Sequence, residues 1–214
     1  MNNAIFQERK FIDHLEWLVK EKDRGALAAL RLGLGKPPGT AREMDRHVLP
    51  HLPPESGLPL GVKVKQEDAY YLVGALFAFW HQGKGGLAAN PPENLGASLH
   101  VMVEKAVATD ASNRKYEDKW KDAEKRIEKR LTALLNCHQD DLPEHLRHDI
   151  SLLKAEDIPV NWLQLLRDIQ NWHRESRDVQ RAWARRFWRV GPQQEPTDGK
   201  TQPNNDDLKK EEQP

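Results

Sequence analysis

The stretch Gly33-Leu34-Gly35-Lys36-Pro37-Pro38-Gly39-Thr40 holds three glycines, a lysine and a threonine. These are the ingredients of a loop that wraps phosphate in backbone N–H groups. That chemistry needs a strand before the loop and Gly-Lys-Ser/Thr at its end. The preceding residues, Gly25 to Leu32, are rich in alanine and leucine and read as a helix stopping at Gly33, a residue that turns left-handed cheaply after a helix. Pro37 and Pro38 also remove two N–H donors. The stretch therefore reads as a helix stop and a stiff surface loop, with Arg31 in the last turn of that helix.

Metal chemistry has two places to look. Cys137-His138 and His145/His148 lie close in sequence. However, no CxxC is present, and Glu144 precedes the two histidines instead of lying between them as in HExxH. No Gly-x-Ser-x-Gly marks a nucleophile. The acids Asp140-Asp141 and Glu156-Asp157 read as helix starts, where the dipole favours carboxylates. No catalytic residue, metal or cofactor is expected.

Two basic stripes are the stronger signal. Arg177, Arg181 and Arg185 fall within an arc of about 80° on a helix, opposite Val179, Trp183 and Phe187; Arg174 joins them if the helix is unbroken. In the segment from Tyr116 to Leu135, Glu117, Glu124 and Glu128 lie on one flank of the apolar face. Lys115, Lys119, Arg126 and Arg130 lie on the other. Segregated charge makes a one-signed surface able to neutralise phosphates. The i,i+4 pairs Asp122–Arg126 and Glu117–Lys121 equally suit a solvated face, and for each stripe alone both readings stand.

The elements that must carry these stripes are helices. Tyr116, Trp120, Ala123, Ile127, Leu131 and Leu134 repeat every three or four residues, one face of a long helix. Ile5, Ile12, Leu15 and Val19 mark a first helix, with Phe11 and Leu18 beside them. Ala69 to Trp80 is an apolar run too short for a bilayer span of about 20 residues and reads as a buried helix from Glu67 to His81. Asn94 reads as an N-cap for a helix to about Val107. Asp141-Leu142-Pro143-Glu144 reads as a capping box, and a last helical stretch runs from about Asn161 to Arg189, with a break suggested near Ser176. Sustained alternation is absent, so the expected fold is all-α: two small helical bundles, 1–108 and 109–190, and a disordered tail, 191–214.

Composition bounds the class. With 31% charged residues the surface is very polar, yet 38% apolar residues including seven Trp suffice for a core. The single Cys137 excludes an intrachain disulfide and fits a reducing, cytoplasmic setting. There are 33 basic and 33 acidic residues. The tail carries more acids than lysines, so the body has a small basic excess that must act through local clustering.

Several segments, read in order, resemble a known family. They are Ala26 to Arg31, Ala69 to Leu72, Asn94 to Leu99, Glu128 to Leu135, Leu142 to Arg147, Trp162 to Ile169 with Trp172, and Trp183 to Trp188. Their joint order resembles CasB, the small subunit of the type I-E CRISPR surveillance complex Cascade, over about residues 10 to 188. The resemblance implies an all-helical, non-enzymatic subunit with no membrane role. Its implied place is in a pair along the backbone subunits of Cascade, near the large subunit. Its basic surface would lie beside the guide RNA–target DNA heteroduplex and the displaced strand, touching backbone while base pairing reads sequence. By position Arg31 matches the arginine of the family's Leu-Arg segment, Lys129 and Arg130 its basic pair before Leu-Leu, and the basic residues after Trp172 a basic stretch there. Leu32 stands where a second arginine often follows. Lys36 and Arg42 lie near Arg31 as further phosphate contacts. The reading from a different class is a helical protein–protein adaptor without nucleic-acid binding.

Overall fold

The structure is a computed structural model that describes residues 2–37, 39–53, 60–84 and 86–189; side chains of residues 2–5, 60 and 62–65 are not described. The tail expected over 191–214 and residues 54–59 lie outside the described residues. Among the described residues there are α-helices and short 3-10 turns and no strand, as the sequence pattern requires. The helices are α1 (Asn2–Lys20), α2 (Arg24–Arg31), α3 (Asp45–Val48), α4 (Leu60–Trp80), α5 (Leu95–Thr109), α6 (Tyr116–Asn136), α7 (Leu142–Ala155), α8 (Trp162–Asn171) and α9 (Asp178–Phe187).

Helix α4 lies at the centre. Its run Ala69, Tyr70, Val73, Ala75, Leu76, Phe77 and Ala78 is buried all round, which is why it reads as apolar without a polar face. It packs against α2, α7 and α8, while α1 packs on α8 and α2. Helix α5 packs on α6 and α9. The face read from α6 is the buried one: Ala123, Ile127, Leu131 and Leu134 face the core, with Trp120 partly buried against it.

Caps explain where several helices begin. Asp23 accepts from Ala26 N at 2.9 Å and opens α2; Asn161 accepts from Gln164 N at 3.0 Å and opens α8. Asn94 accepts from Ala97 N at 3.0 Å and also donates to Ala182 O at 3.4 Å. This one buried side chain therefore starts α5 and ties it to α9. Asn94→Ala is expected to cost about 2 kcal/mol, the upper range for a cap because a tertiary bond goes with it. A denaturant midpoint that falls at constant m-value is the readout.

Three expectations need correction. Helix α2 does not stop on a left-handed Gly33; Leu32 is its helical C-cap, and the left-handed glycines of this stretch are Gly35 at φ +72° and Gly39 at φ +73°. Gly33 is needed for a different reason, because a Cβ there would meet Met44 Sδ at 2.1 Å. The capping box at Asp141 does not form, since Asp141 is itself in helical conformation and its side chain makes no cap bond. Its N–H already bonds to His138 O, so α7 is entered from a turn. Glu156 and Asp157 follow the end of α7 instead of starting a helix. The break suggested near Ser176 is present: the stretch from Asn161 to Arg189 is two helices, α8 and α9, with Arg177 at φ +50° as the N-cap of the second.

Candidate nucleic-acid interface

Helix α9 is held by its buried side. Trp183 is fully buried and donates from Nε1 to Asp168 Oδ2 at 2.6 Å, while Gln164 donates to Asp168 Oδ1 at 2.8 Å. Burial pushes the Asp168 carboxyl up to about 6, against the pull of these two donors. Trp172 packs on Trp183 at 5.0 Å, and Gln180 donates to Trp172 O at 3.0 Å. With Val179, Trp183 and Phe187 inward, Arg181 and Arg185 are exposed on the outside, and neither side chain forms an ion pair or hydrogen bond among the described residues. The arginine arc expected from the sequence is shortened by the break. Arg174 lies in the turn between α8 and α9, and Arg177 is the N-cap of α9 with its guanidinium donating to Leu135 O. That bond brings the start of α9 beside the end of α6.

On α6 the basic flank divides into spent and unspent groups. Lys119 Nζ donates to Asp110 O at 2.6 Å, and Arg126 Nε to Asp122 O at 3.3 Å. Lys115 and Lys129 are exposed, with no side-chain partner among the described residues. The joint before α6 is tightly bonded. Asp110 accepts from Ser112 N at 2.9 Å and from Arg114 at 2.8 Å, and Arg114 also reaches Asp122 at 2.5 Å.

Arg130 is exposed but has a structural effect on α7. Burial pushes the Asp149 carboxyl up to about 7, with the Arg130 charge pulling it down. A carboxyl raised above its unfolded value of 3.8 adds stability that is fully present below that value and lost as pH rises through about 7. Asp149→Asn is therefore expected to lessen the decline in melting temperature between pH 4 and 7, and to raise the melting temperature at about pH 8. Thermal melts of both proteins across that range are the check.

The glycine-proline loop offers few phosphate donors. It follows a helix, and the N–H groups of Leu34, Lys36 and Thr40 bond to Arg31 O, Gly33 O and Pro37 O. Arg31 is half-buried, and its guanidinium lies 3.5 Å from Ala78 O at the end of α4. Lys154 donates to Phe79 O at 2.7 Å, and Lys84 lies 4.0 Å from the Trp80 ring and pairs with Asp157. Burial lowers the Lys154 pKa, and the charges of Lys84 and Arg31 lower it further. Three cations thus gather at the C-terminal carbonyls of α4, the favourable end of the helix dipole for positive charge. Lys84 and Lys154 escape a sequence reading because nothing local announces this meeting of distant segments. Arg42 is exposed in the 3-10 turn before α3, and Lys36 is exposed at the rim of a cavity of about 830 Å³ that Arg147 also lines.

Among the described residues no group of three or more His, Cys, Asp and Glu side chains could hold a metal ion. His148 faces Glu144 at 3.4 Å on the exposed side of α7. Burial pushes the Cys137 thiol up to about 11, so little nucleophilic thiolate forms at neutral pH. No helix among the described residues is long and apolar enough to cross a membrane.

The sequence profile of the CRISPR-associated protein Cse2 family matches residues 26–188. The CRISPR-associated protein Cse2 of Thermus thermophilus is 28% identical over 188 residues, 87% of this chain and 92% of that one. The crystal structure of CasB from Thermus thermophilus superposes with a TM-score of 0.62 at 27% identity, covering 86% of this chain and 98% of that chain. A chain of a CRISPR RNA-guided surveillance complex superposes with a TM-score of 0.63 at 25% identity, covering 87% and 94%. An outward basic surface on an all-helical frame is thus found on a chain whose sequence and fold agree with one family, and the protein belongs to the CRISPR-associated Cse2 (CasB) family.

Proposed function

We propose that the chain is the non-catalytic small subunit of a cytoplasmic type I-E Cascade. Two copies sit along its backbone subunits near the large subunit. Basic helix faces hold the backbone of the guide RNA–target DNA heteroduplex and of the displaced strand, stabilising the R-loop in antiviral defence. One observation carries this reading: Arg181 and Arg185 are exposed on the face of α9 opposite its buried residues and have no side-chain partner among the described residues. Paired surface charges would already be neutralised, whereas these two can meet phosphate without disturbing the core. Arg174, Lys115, Lys129, Lys36 and Arg42 have the same exposed character.

Another observation favours the adaptor reading. Arg31, Lys119, Arg126 and Arg177 each direct their side chains at a backbone carbonyl, which is what structural cations do. Capture of the tagged chain from its native cells separates the two. Guide RNA and the other Cascade subunits are expected to come down together, with the chain at two copies per complex. Capture of proteins without guide RNA, unchanged by ribonuclease, would favour the adaptor.

A further inference from the structure

We propose that the aromatic side chains at the start of α6 and at the end of α9, joined across α5 by His100, form a shelf on which unpaired nucleobases of a single strand stack. This rests on the backbone-binding reading above and adds the bases to it. Tyr116 is 65% exposed and Trp188 39% exposed, unlike most of the large aromatic side chains nearby. Their rings are joined through the fold. Tyr116 lies 6.1 Å from Trp120, Trp120 5.6 Å from His100, His100 6.3 Å from Phe187, and Phe187 5.3 Å from Trp188. The base of the shelf is rigid, because His100 is buried and its Nδ1 lies 2.6 Å from Phe187 O. With Nδ1 protonated, that imidazole clamps α5 to the last turn of α9. The bonded joint at Asp110 and Arg114 fixes the start of α6 in the same way.

The charge around the shelf selects the occupant. Exposed Lys115 adjoins Tyr116, and exposed Arg185 lies three residues before Trp188, on the same side of a helical turn. Arg189 is held at the shelf by Glu104, which it meets at 2.8 Å and which also faces His100 Nε2 at 3.7 Å. Aromatic faces with cations at their edges are what single-strand grooves use, since every base has a π-face and every nucleotide a phosphate. The other exposed aromatic rings, Phe6 and Trp17 on α1, already have neighbours on them: Lys10 Nζ lies 4.3 Å from the Phe6 ring and His14 stacks on Trp17 at 6.1 Å.

The test compares two labelled oligomers of equal length and charge, an oligothymidylate and its abasic counterpart, binding to the full-length chain. Wild type is expected to prefer the base-bearing strand by at least about fivefold, the lower end of what one stacked base contributes. Tyr116→Ala with Trp188→Ala should bind both strands alike, at the affinity wild type shows for the abasic one. Tyr116→Phe with Trp188→Phe should keep the preference. Salt-dependent binding of both strands without preference would overturn the shelf and leave the backbone reading standing. Absence of binding to either strand would overturn both. An alanine pair that keeps the preference yet fails to join its complex would make the shelf a protein contact, and the proposal would fall.

Discussion

Gly96→Ala is expected to destabilise the protein by about 4 kcal/mol, more than the about 1–3 kcal/mol usual for overpacking. A Cβ at position 96 would lie 2.0 Å from the Trp183 carbonyl oxygen, 2.7 Å from its carbonyl carbon and 2.8 Å from its Cα. All three are backbone atoms, so no rotamer change relieves the clash and α9 must move off α5. That movement would loosen the Trp183–Asp168 bond and the contact of Asn94 with Ala182 O. Gly33→Ala makes the contrast. Its Cβ would meet Met44 Sδ at 2.1 Å, the end of a flexible thioether that can swing aside, so a cost of about 1–2 kcal/mol is expected. Denaturant unfolding of the two variants is the check. Equal costs, or a Gly96→Ala cost below about 1 kcal/mol, would mean that α9 does not approach α5 this closely. Because α9 carries Arg181 and Arg185, Gly96→Ala should also weaken nucleic-acid binding although it changes no charge.

The long helices were legible because their packing leaves a local trace. The spacing from Tyr116 to Leu134 reports one buried stripe, and α6 buries that stripe. The break before α9 was only hinted at, for a physical reason. Trp172, Val179 and Trp183 are seven and four residues apart, so the apolar phase runs on across the gap. Helix α8 stops at Asn171, and α9 starts only after the left-handed backbone of Arg177 and a Ser176 Oγ bond to Asp178 Oδ2 at 2.6 Å; a sequence period registers neither. The start of α4 at Leu60 was missed because Gly61 and the prolines before it read as a turn. The basic residues were visible as types and spacings, but their partners were not. That Arg177 donates to Leu135 O, or that Arg31, Lys84 and Lys154 meet at the end of α4, depends on tertiary packing between segments far apart in sequence. The basic residues of the candidate interface could therefore be named from the sequence, while their division into spent and unspent cations could not.

That division sharpens the second large effect. Arg181→Glu with Arg185→Glu removes two unpartnered cations and places two anions on the same face, without touching Val179, Trp183 or Phe187. Binding to single strands of unrelated sequence should fall alike, by at least about a hundredfold at low salt. The slope of log K against log salt should flatten by about 0.7 for each phosphate that is no longer neutralised. Reversing Arg177 would be a poorer probe, because its guanidinium already serves Leu135 O and its removal would disturb the packing of α9 beside α6.

The most direct measurement of the backbone-binding account is target-DNA affinity of the reconstituted guide-loaded complex as a function of salt. It is made with three versions of this chain: wild type, Arg181→Glu with Arg185→Glu, and Glu117→Gln with Glu124→Gln and Glu128→Gln. The account predicts that all three assemble. The arginine variant then binds target weakly with a flattened salt slope, and the glutamine variant binds as well as wild type or slightly better. An arginine variant that folds, assembles and binds target with wild-type affinity and slope would contradict it.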